Sequence, residues 1–249
     1  MSNANRHPLV VFSGGMDSSY MLYEALLQGN VHTCYIKGTQ SSLKIPVELE
    51  ARKKIAKILQ EKTGNLILTD TVVDLAGSKP IYTDKVNYNG GTIHTYGNDA
   101  PDITWGQAYI WLFGLMFVTD GRIHSEVQIG NVMDDDINMH LDNMKLAWET
   151  TQKFSKRNPI PLVFPLSCQR KFNILSEMPK QALAYIWVCD RPKQDENDLT
   201  IPCEYCASCV DHKKTIWEYE YRNREAFNIH PKAQQQPAKG QQDLFYNLY

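Results

Sequence analysis

Seven consecutive residues near the start of the chain have the types and spacing to bind an anion: Ser13, Gly14, Gly15, Met16, Asp17, Ser18 and Ser19. Two adjacent glycines let a backbone approach a ligand closely, and the free N–H groups that open a following helix attract negative charge. The segment lacks the lysine of a Walker A motif and the spacing of a dinucleotide fingerprint. We interpret it as a phosphate site suited to pyrophosphate. The plainer interpretation is an ordinary strand-to-helix turn with Asp17 or Ser18 as N-cap.

Four of the six cysteines fall within 21 residues near the other end of the chain: Cys189, Cys203, Cys206 and Cys209. Four thiolates complete a tetrahedral Zn²⁺ shell and leave no position for a water, so we expect a structural zinc ion. The spacing leaves an iron–sulfur cluster or a redox role open. The two spare cysteines, Cys34 and Cys168, are expected in the core, with a place beside the pocket as the alternative for Cys168.

An acidic triplet, Asp134 to Asp136, follows the end of a predicted strand. Carboxylate oxygens suit Mg²⁺ and also accept hydrogen bonds from a guanine-like edge. Asp135 is the favoured member of the triplet, and a solvated acidic turn is the alternative. Because ligands of an open parallel sheet bind beyond the carboxyl ends of its strands, the triplet and the glycine turn are expected to face one crevice.

Strands and helices alternate in the sequence that leads to these groups. Short apolar runs predict strands over 9–12, 31–36, 66–71 and 124–129, and helical periodicity follows from 17, over 46–60 and over 139–154. The order predicts a parallel twisted sheet with helices on both faces, an α/β fold. We expect 46–60 to be an amphipathic surface helix, 105–118 to be a helix buried on nearly every side, and 75–103 to be a long active-site flap.

Composition narrows the class of protein. The chain has 249 residues, with 26 Lys+Arg against 28 Asp+Glu, and this balance disfavours direct binding of tRNA or duplex through a broad basic face. No apolar run is long enough to span a membrane, and the start lacks a secretory signal, so we expect a cytoplasmic protein. We expect an α/β domain over 1–165, a helical cysteine-bearing segment over 166–230 and a flexible tail over 231–249.

The Ser-Gly-Gly-x-Asp-Ser turn resembles the signature loop of the N-type ATP pyrophosphatases, the PP-loop superfamily, and matches it at Ser13, Gly14, Gly15, Asp17 and Ser18. Together with the four cysteines it is similar to the 7-cyano-7-deazaguanine synthase family over about 220 residues, from Leu9 to near Arg224. The resemblance implies a fold like the adenine nucleotide alpha hydrolases, ATP and Mg²⁺. It also implies adenylation of 7-carboxy-7-deazaguanine, displacement of AMP by ammonia and a second ATP-driven step to the nitrile.

The resemblance also implies site residues and an assembly. It implies catalytic roles for Asp17, Ser18, Asp135 and Lys171. It also implies that residues 13–19 contact ATP and that the four clustered cysteines bind zinc. The partners implied are a small deazaguanine base, ATP, ammonia and a second copy of the chain as a homodimer.

Two stretches depart from that family. Its Gly-Arg-Asn stretch is replaced over 103–107, and its Tyr-Pro-Asp-Cys-Arg stretch over 138–142, so two arginines are missing. Either another cation, from Lys37, Lys44 and Lys171, replaces them or the acceptor differs. Three alternatives therefore stay open: sulfur transfer to tRNA, conjugation of the activated base to a protein, and a non-catalytic nucleotide-binding module.

Overall fold

The computed structural model describes residues 6–37, 42–75, 86–88, 91–93, 103–155 and 159–228. The expected flap over 75–103 is described only at 75, 86–88, 91–93 and 103, and the expected tail over 231–249 lies outside the described residues.

Five parallel strands form the central sheet. The strands of the chain are β1 (His7–Val11), β2 (Val31–Lys37), β3 (Ile67–Asp74), β4 (Val86–Tyr88), β5 (Gly91–Ile93), β6 (His124–Ile129), β7 (Leu162–Val163), β8 (Lys193–Gln194) and β9 (Thr200–Ile201). The sheet has the order β3-β2-β1-β6-β7, while β4 with β5 and β8 with β9 form antiparallel pairs. The chain leaves β1 toward β2 on one side and returns to β6 on the other. This reversal opens a crevice beyond the carboxyl ends of β1 and β6.

Helices cover both faces of the sheet, which confirms the expected fold class. They are α1 (Met16–Gln28), α2 (Lys44–Thr63), α3 (Ile103–Val118), α4 (Leu141–Ser155), α5 (Lys171–Glu177), α6 (Lys180–Leu183) and α7 (Ala207–Asn228), with a short 3₁₀ helix (Asp136–His140) before α4. Side chains of a strand alternate between faces. Val10 and Phe12 therefore pack with α1, α2 and α5, whereas Leu9 and Val11 pack with α3 and α4. No helix of the described ranges has the length and apolarity needed to cross a membrane.

Helix α3 is less buried than its composition predicts. Ala108, Leu112 and Leu115 are buried, but Tyr109 and Phe117 are more than half exposed. The prediction of a helix buried on nearly every side was wrong, because α3 lies on the sheet along a single stripe and the described residues cover only that side.

Helix α2 differs from its prediction in the opposite sense. Glu48 and Arg52, expected on a solvated surface, are buried at 4% and 3% exposure. They share the inward stripe of Ala51, Ile55 and Leu59, since residues three, four and seven apart lie on one side of a helix.

The two cysteines outside the cluster differ in burial. Cys34 is buried in β2 as expected, but Cys168 is exposed. The expectation of a core position for Cys168 was wrong because the residue lies in the turn after Leu166, whose own side chain fills the core in its place.

Candidate active site and metal centre

The glycine turn lies beyond the carboxyl end of β1, where it opens α1. Gly14 has a φ of +84°, which favours glycine, and Gly15 is the N-cap residue of α1. Neither Asp17 nor Ser18 caps the helix, so the N-cap residue expected under the plainer interpretation is wrong. An N-cap at Asp17 would start the helix at residue 18, but α1 begins at Met16. Asp17 therefore lies inside its first turn.

Serine hydroxyls hold the turn in shape. The Ser13 N–H donates to Ser18 Oγ at 3.1 Å, the two Oγ atoms lie 3.0 Å apart, and Ser18 Oγ donates to the Gly15 carbonyl at 3.2 Å. The Gly15 N–H donates to Ser13 Oγ at 3.3 Å. These bonds fix the first turn of α1 with its N–H groups at the crevice, which is the arrangement that attracts phosphate.

Close backbone packing explains the glycines. A Cβ on Gly14 would lie 3.1 Å from Arg52 Cγ and 3.2 Å from the Glu48 carbonyl oxygen, so the turn rests directly on α2. A Cβ on Gly130, just after β6, would lie 3.0 Å from the Asp17 carbonyl oxygen. The end of β6 thus touches the start of α1, and this contact closes one side of the crevice.

Three predicted catalytic residues lie together in that crevice. Lys171 Nζ forms an ion pair with Asp135 Oδ1 at 2.9 Å, and Asp135 Oδ2 accepts the Val132 N–H at 3.1 Å. Asp17 lies close enough for its charge to act on both side chains. Asp17 Oδ1 is buried and has no hydrogen-bond partner among the described residues.

The electrostatics of this cluster are unusual. Burial and, after it, the charge of Asp135 raise the pKa of Asp17 to about 7, although the charge of Lys171 opposes both. Burial lowers the pKa of Lys171, but the carboxylates of Asp17, Asp135 and Asp211 outweigh it and leave that pKa raised. The cluster therefore holds a stable cation beside a carboxyl that ionises near neutral pH.

The remaining residues expected in the site take different positions. Met16 packs in the core beside α2 and α5, and Ser19 is fully buried. Asp134 accepts the Lys171 backbone N–H at 3.2 Å. Lys37 pairs with Asp74 at 2.6 Å, and Lys44 contacts Asp190 and Glu48. The side chain of Asp136 lies outside the described residues.

Sequence reasoning missed two residues of α7 that border the cluster. Asp211 Oδ2 lies 3.5 Å from Lys171 Nζ, and His212 is half-buried with a pKa lowered by burial and by the charge of Lys171. Periodicity could not reveal them, because α7 reaches the crevice only through its packing on α5.

The four clustered cysteines converge as predicted. All four are buried, and their Sγ atoms lie within 4.8 Å of one another. Four sulfurs 2.3 Å from one central ion are about 3.8 Å apart in a tetrahedron, and Cys189 Sγ lies 4.0 Å from Cys206 Sγ. The donor set thus fits a single thiolate-bound metal ion.

A short connection joins this metal centre to the glycine turn. The Trp187 indole N–H donates to the Cys189 carbonyl at 2.9 Å, and the Trp187 backbone N–H donates to the Gly14 carbonyl at 3.1 Å. The single residue Trp187 therefore bridges one of the four clustered cysteines and the glycine turn.

The chain was compared with protein families, curated proteins and solved structures. The family described as "Queuosine biosynthesis protein QueC" matches residues 7–220. No curated protein matched the chain. A solved structure similar to it is the U34-tRNA thiolase NcsA from Methanococcus maripaludis with its 4Fe-4S cluster, at 17% identity and a TM-score of 0.45, covering 88% of this chain and 67% of that one. Because the family match spans most of its length, the chain belongs to the QueC family and is a PP-loop enzyme that uses ATP.

Proposed function

We propose that the chain adenylates the carboxylate of 7-carboxy-7-deazaguanine with ATP and converts it with ammonia to the nitrile. The observation that carries the proposal is the convergence of Asp17, Asp135 and Lys171 beside the glycine turn, at the reversal of the sheet. A cation, two carboxyls and a phosphate-binding turn in one crevice suit a reaction whose main demands are positioning and charge stabilisation.

Each group has a role in this proposal. The backbone N–H groups of the turn and the hydroxyls of Ser13 and Ser18 bind the polyphosphate of ATP. Lys171 neutralises charge on the phosphates and on the leaving pyrophosphate. The unpartnered Oδ1 of Asp17 and the Asp135 carboxylate fit a hard cation. Mg²⁺ bound there would supply a Lewis acid that stabilises the departing pyrophosphate.

The proposed sequence has two halves. The substrate carboxylate attacks the α-phosphorus of ATP, the bond to the β-phosphate breaks, and an acyl adenylate and pyrophosphate form. Ammonia attacks the acyl carbon, loses a proton and expels AMP to give the amide. A second ATP activates the amide oxygen in the same way, with loss of pyrophosphate, and departure of AMP with the last N–H protons leaves the nitrile.

We propose Zn²⁺ as the ion of the four-cysteine centre. Its closed thiolate shell leaves no ligand position for water, which suits a structural ion. A cubane iron–sulfur cluster attaches each thiolate to a different iron and therefore holds the sulfurs farther apart than a shared ion does. The close approach of Cys189 and Cys206 supports the single ion. A homodimer remains a prediction of the family resemblance, and a cytoplasmic location remains a prediction from the sequence.

A mass-resolved assay tests the reaction. Purified protein with ATP, Mg²⁺, ammonium and 7-carboxy-7-deazaguanine should release AMP and pyrophosphate and form the nitrile. Asp17→Ala should abolish turnover and keep its full metal content, whereas loss of metal as well would show that Asp17 is structural.

The products separate this reaction from its alternatives. Absence of substrate-dependent AMP would contradict adenylation of this base. AMP without nitrile or amide would point to a different acceptor, which the missing arginines of 103–107 and 138–142 allow. Addition of tRNA or of candidate acceptor proteins would then identify it by the mass gained.

A further inference from the structure

Helix α2 places a buried cation directly behind the glycine turn. Arg52 is only 3% exposed, and its backbone N and Cγ lie 3.2 and 3.1 Å from the position that a Cβ on Gly14 would occupy. Phe12, which carries the chain into the turn, lies against the same guanidinium. Arg52 therefore supports the turn through contacts with both Gly14 and Phe12.

The contacts of the guanidinium are well defined. Its central carbon lies 5.1 Å from the ring centroids of both Phe12 and Tyr35, and its Nη2 pairs with Asp70. Thr33 also donates to Asp70, at 2.7 Å. Arg52 Nε is buried and has no hydrogen-bond partner in the described part of the chain.

Stability alone is a poor reason for this arrangement. Burial of an ion pair costs desolvation energy that the attraction often fails to repay, and an apolar residue of similar volume is commonly as stable or more so. Asp70 is half exposed, so solvent weakens its compensation of the buried charge. Part of the guanidinium charge is then left uncompensated by Asp70, and the low-polarity surroundings of the aromatic rings extend the reach of that charge.

We propose that Arg52 is a positioning residue whose buried charge, tempered by Asp70, strengthens the binding of polyphosphate at the glycine turn. The proposal rests on the function proposed above only in taking ATP as the ligand of that turn. In this proposal Arg52 acts on the phosphates through its charge alone, from behind the backbone of the turn, and contacts no ligand.

Opposite charge changes at the two partners provide the test. Arg52→Met removes the charge but keeps the packing of Cγ, Arg52→Lys keeps the charge, and Asp70→Asn removes the tempering carboxylate. Calorimetric titration measures the Kd of inorganic tripolyphosphate, α,β-methylene-ATP and uncharged adenosine for each variant, at low and high salt. Melting temperature and metal content show which variants remain folded.

A charge effect has a distinct signature. Arg52→Met should weaken binding of both phosphate ligands by about tenfold, Arg52→Lys should stay close to the parent protein, and Asp70→Asn should tighten both. Adenosine should bind all four proteins equally. A purely structural role predicts that Arg52→Met and Asp70→Asn both weaken binding and that adenosine follows, which would overturn the inference.

The outcomes also separate this inference from the proposed reaction. If the parent protein binds tripolyphosphate and the variants do not differ, Arg52 has no such role and the proposed reaction is untouched. If the variants shift as expected but no AMP forms from the deazaguanine, the reaction fails and the role of Arg52 stands. Failure of the parent protein to bind either phosphate ligand would overturn both.

Discussion

Among single residues, Asp17 has the protonation equilibrium that matters most near neutral pH. Its carboxyl belongs to the turn that is expected to bind ATP, yet burial raises its pKa to about 7 from 3.8. Without bound Mg²⁺, ionisation of this carboxyl costs free energy in the folded chain, whereas in the unfolded chain it occurs at the ordinary pKa. The stability that Asp17 contributes is therefore fully present below pH 3.8 and is lost as the pH rises through about 7.

Asp17→Asn removes this dependence on pH. Without added Mg²⁺, the variant should be more stable than the parent protein at pH 8, by up to about 4 kcal/mol, and the difference should shrink toward pH 5. Urea unfolding at the two pH values measures it. Asp142→Asn, on a fully exposed side chain of α4, is the control and should differ little from the parent at either pH. An Asp17→Asn difference that is equal at both pH values would contradict the prediction.

The sequence identified residues that the structure brings together where a short motif marks them. The glycine turn, Asp135, Lys171 and the four cysteines could be found because each lies in a short motif or just after a strand. Arg52 was within reach, since it lies three residues before Ile55 on the same helical stripe. Asp211 and His212 were not, because their place depends on how α7 packs on α5.

At the scale of elements, the crevice depends on how closely β6 approaches α1. Gly130 directly follows β6 and lies against the backbone of Asp17 and Ser18. A Cβ on Gly130 would lie 3.0 Å from the Asp17 carbonyl oxygen and 3.2 Å from the Ser18 Cα. Backbone cannot move aside as a flexible side chain does, so any side chain at 130 must push the start of α1 and the glycine turn away from β6.

Gly130→Ala should therefore affect stability and binding together. We expect a loss of about 2 kcal/mol in unfolding free energy, as for other overpacked sites, and weaker binding of tripolyphosphate. Thermal unfolding and calorimetry measure the two effects. Gly64→Ala is a matched control, since Gly64 has a φ of +75° at the end of α2 but open space around its Cβ position. It should lose stability through backbone strain and bind tripolyphosphate normally, and equal binding by Gly130→Ala would show that the contact does not shape the turn.

Element prediction from the sequence succeeded in type and order for the periodic segments, missed the strands β4 and β5 inside the expected loop, and failed in burial. The strands and helices appeared where hydrophobic periodicity placed them, with α2 extending from Lys44 to Thr63 around the predicted 46–60. Periodicity does not say how many neighbours an element has. For that reason Tyr109 and Phe117 of α3 are exposed while the charged Arg52 of α2 is buried.

At the scale of the whole molecule, hydrogen bonds connect the four clustered cysteines to the glycine turn. Trp187 bonds to Cys189 through its indole and to Gly14 through its backbone, so a displaced cysteine loop would release the Gly14 carbonyl. The two regions assigned to 1–165 and 166–230 by sequence also share one hydrophobic core, in which Leu166, Ile174 and Leu175 pack with α1 and α2.

Loss of a metal ion bound by the four cysteines should therefore weaken phosphate binding at the glycine turn. Cys206→Ser should lower the metal content and the melting temperature, the latter by about 10 °C or more, and should weaken tripolyphosphate binding. Cys168→Ser alters an exposed thiol outside the centre and serves as the control. If the metal is lost and phosphate affinity is unchanged, the connection through Trp187 transmits nothing.

The shared core has a consequence for how the chain is made. Helices α1 and α2 emerge from the ribosome long before Leu166, Ile174, Leu175, Met178 and Ala182, which cover part of their apolar face. More than a hundred further residues must be translated before this face can be buried, and the four clustered cysteines are translated later still. The nascent chain therefore passes through a long aggregation-prone interval, and the four cysteines can converge only after Cys209 has been translated.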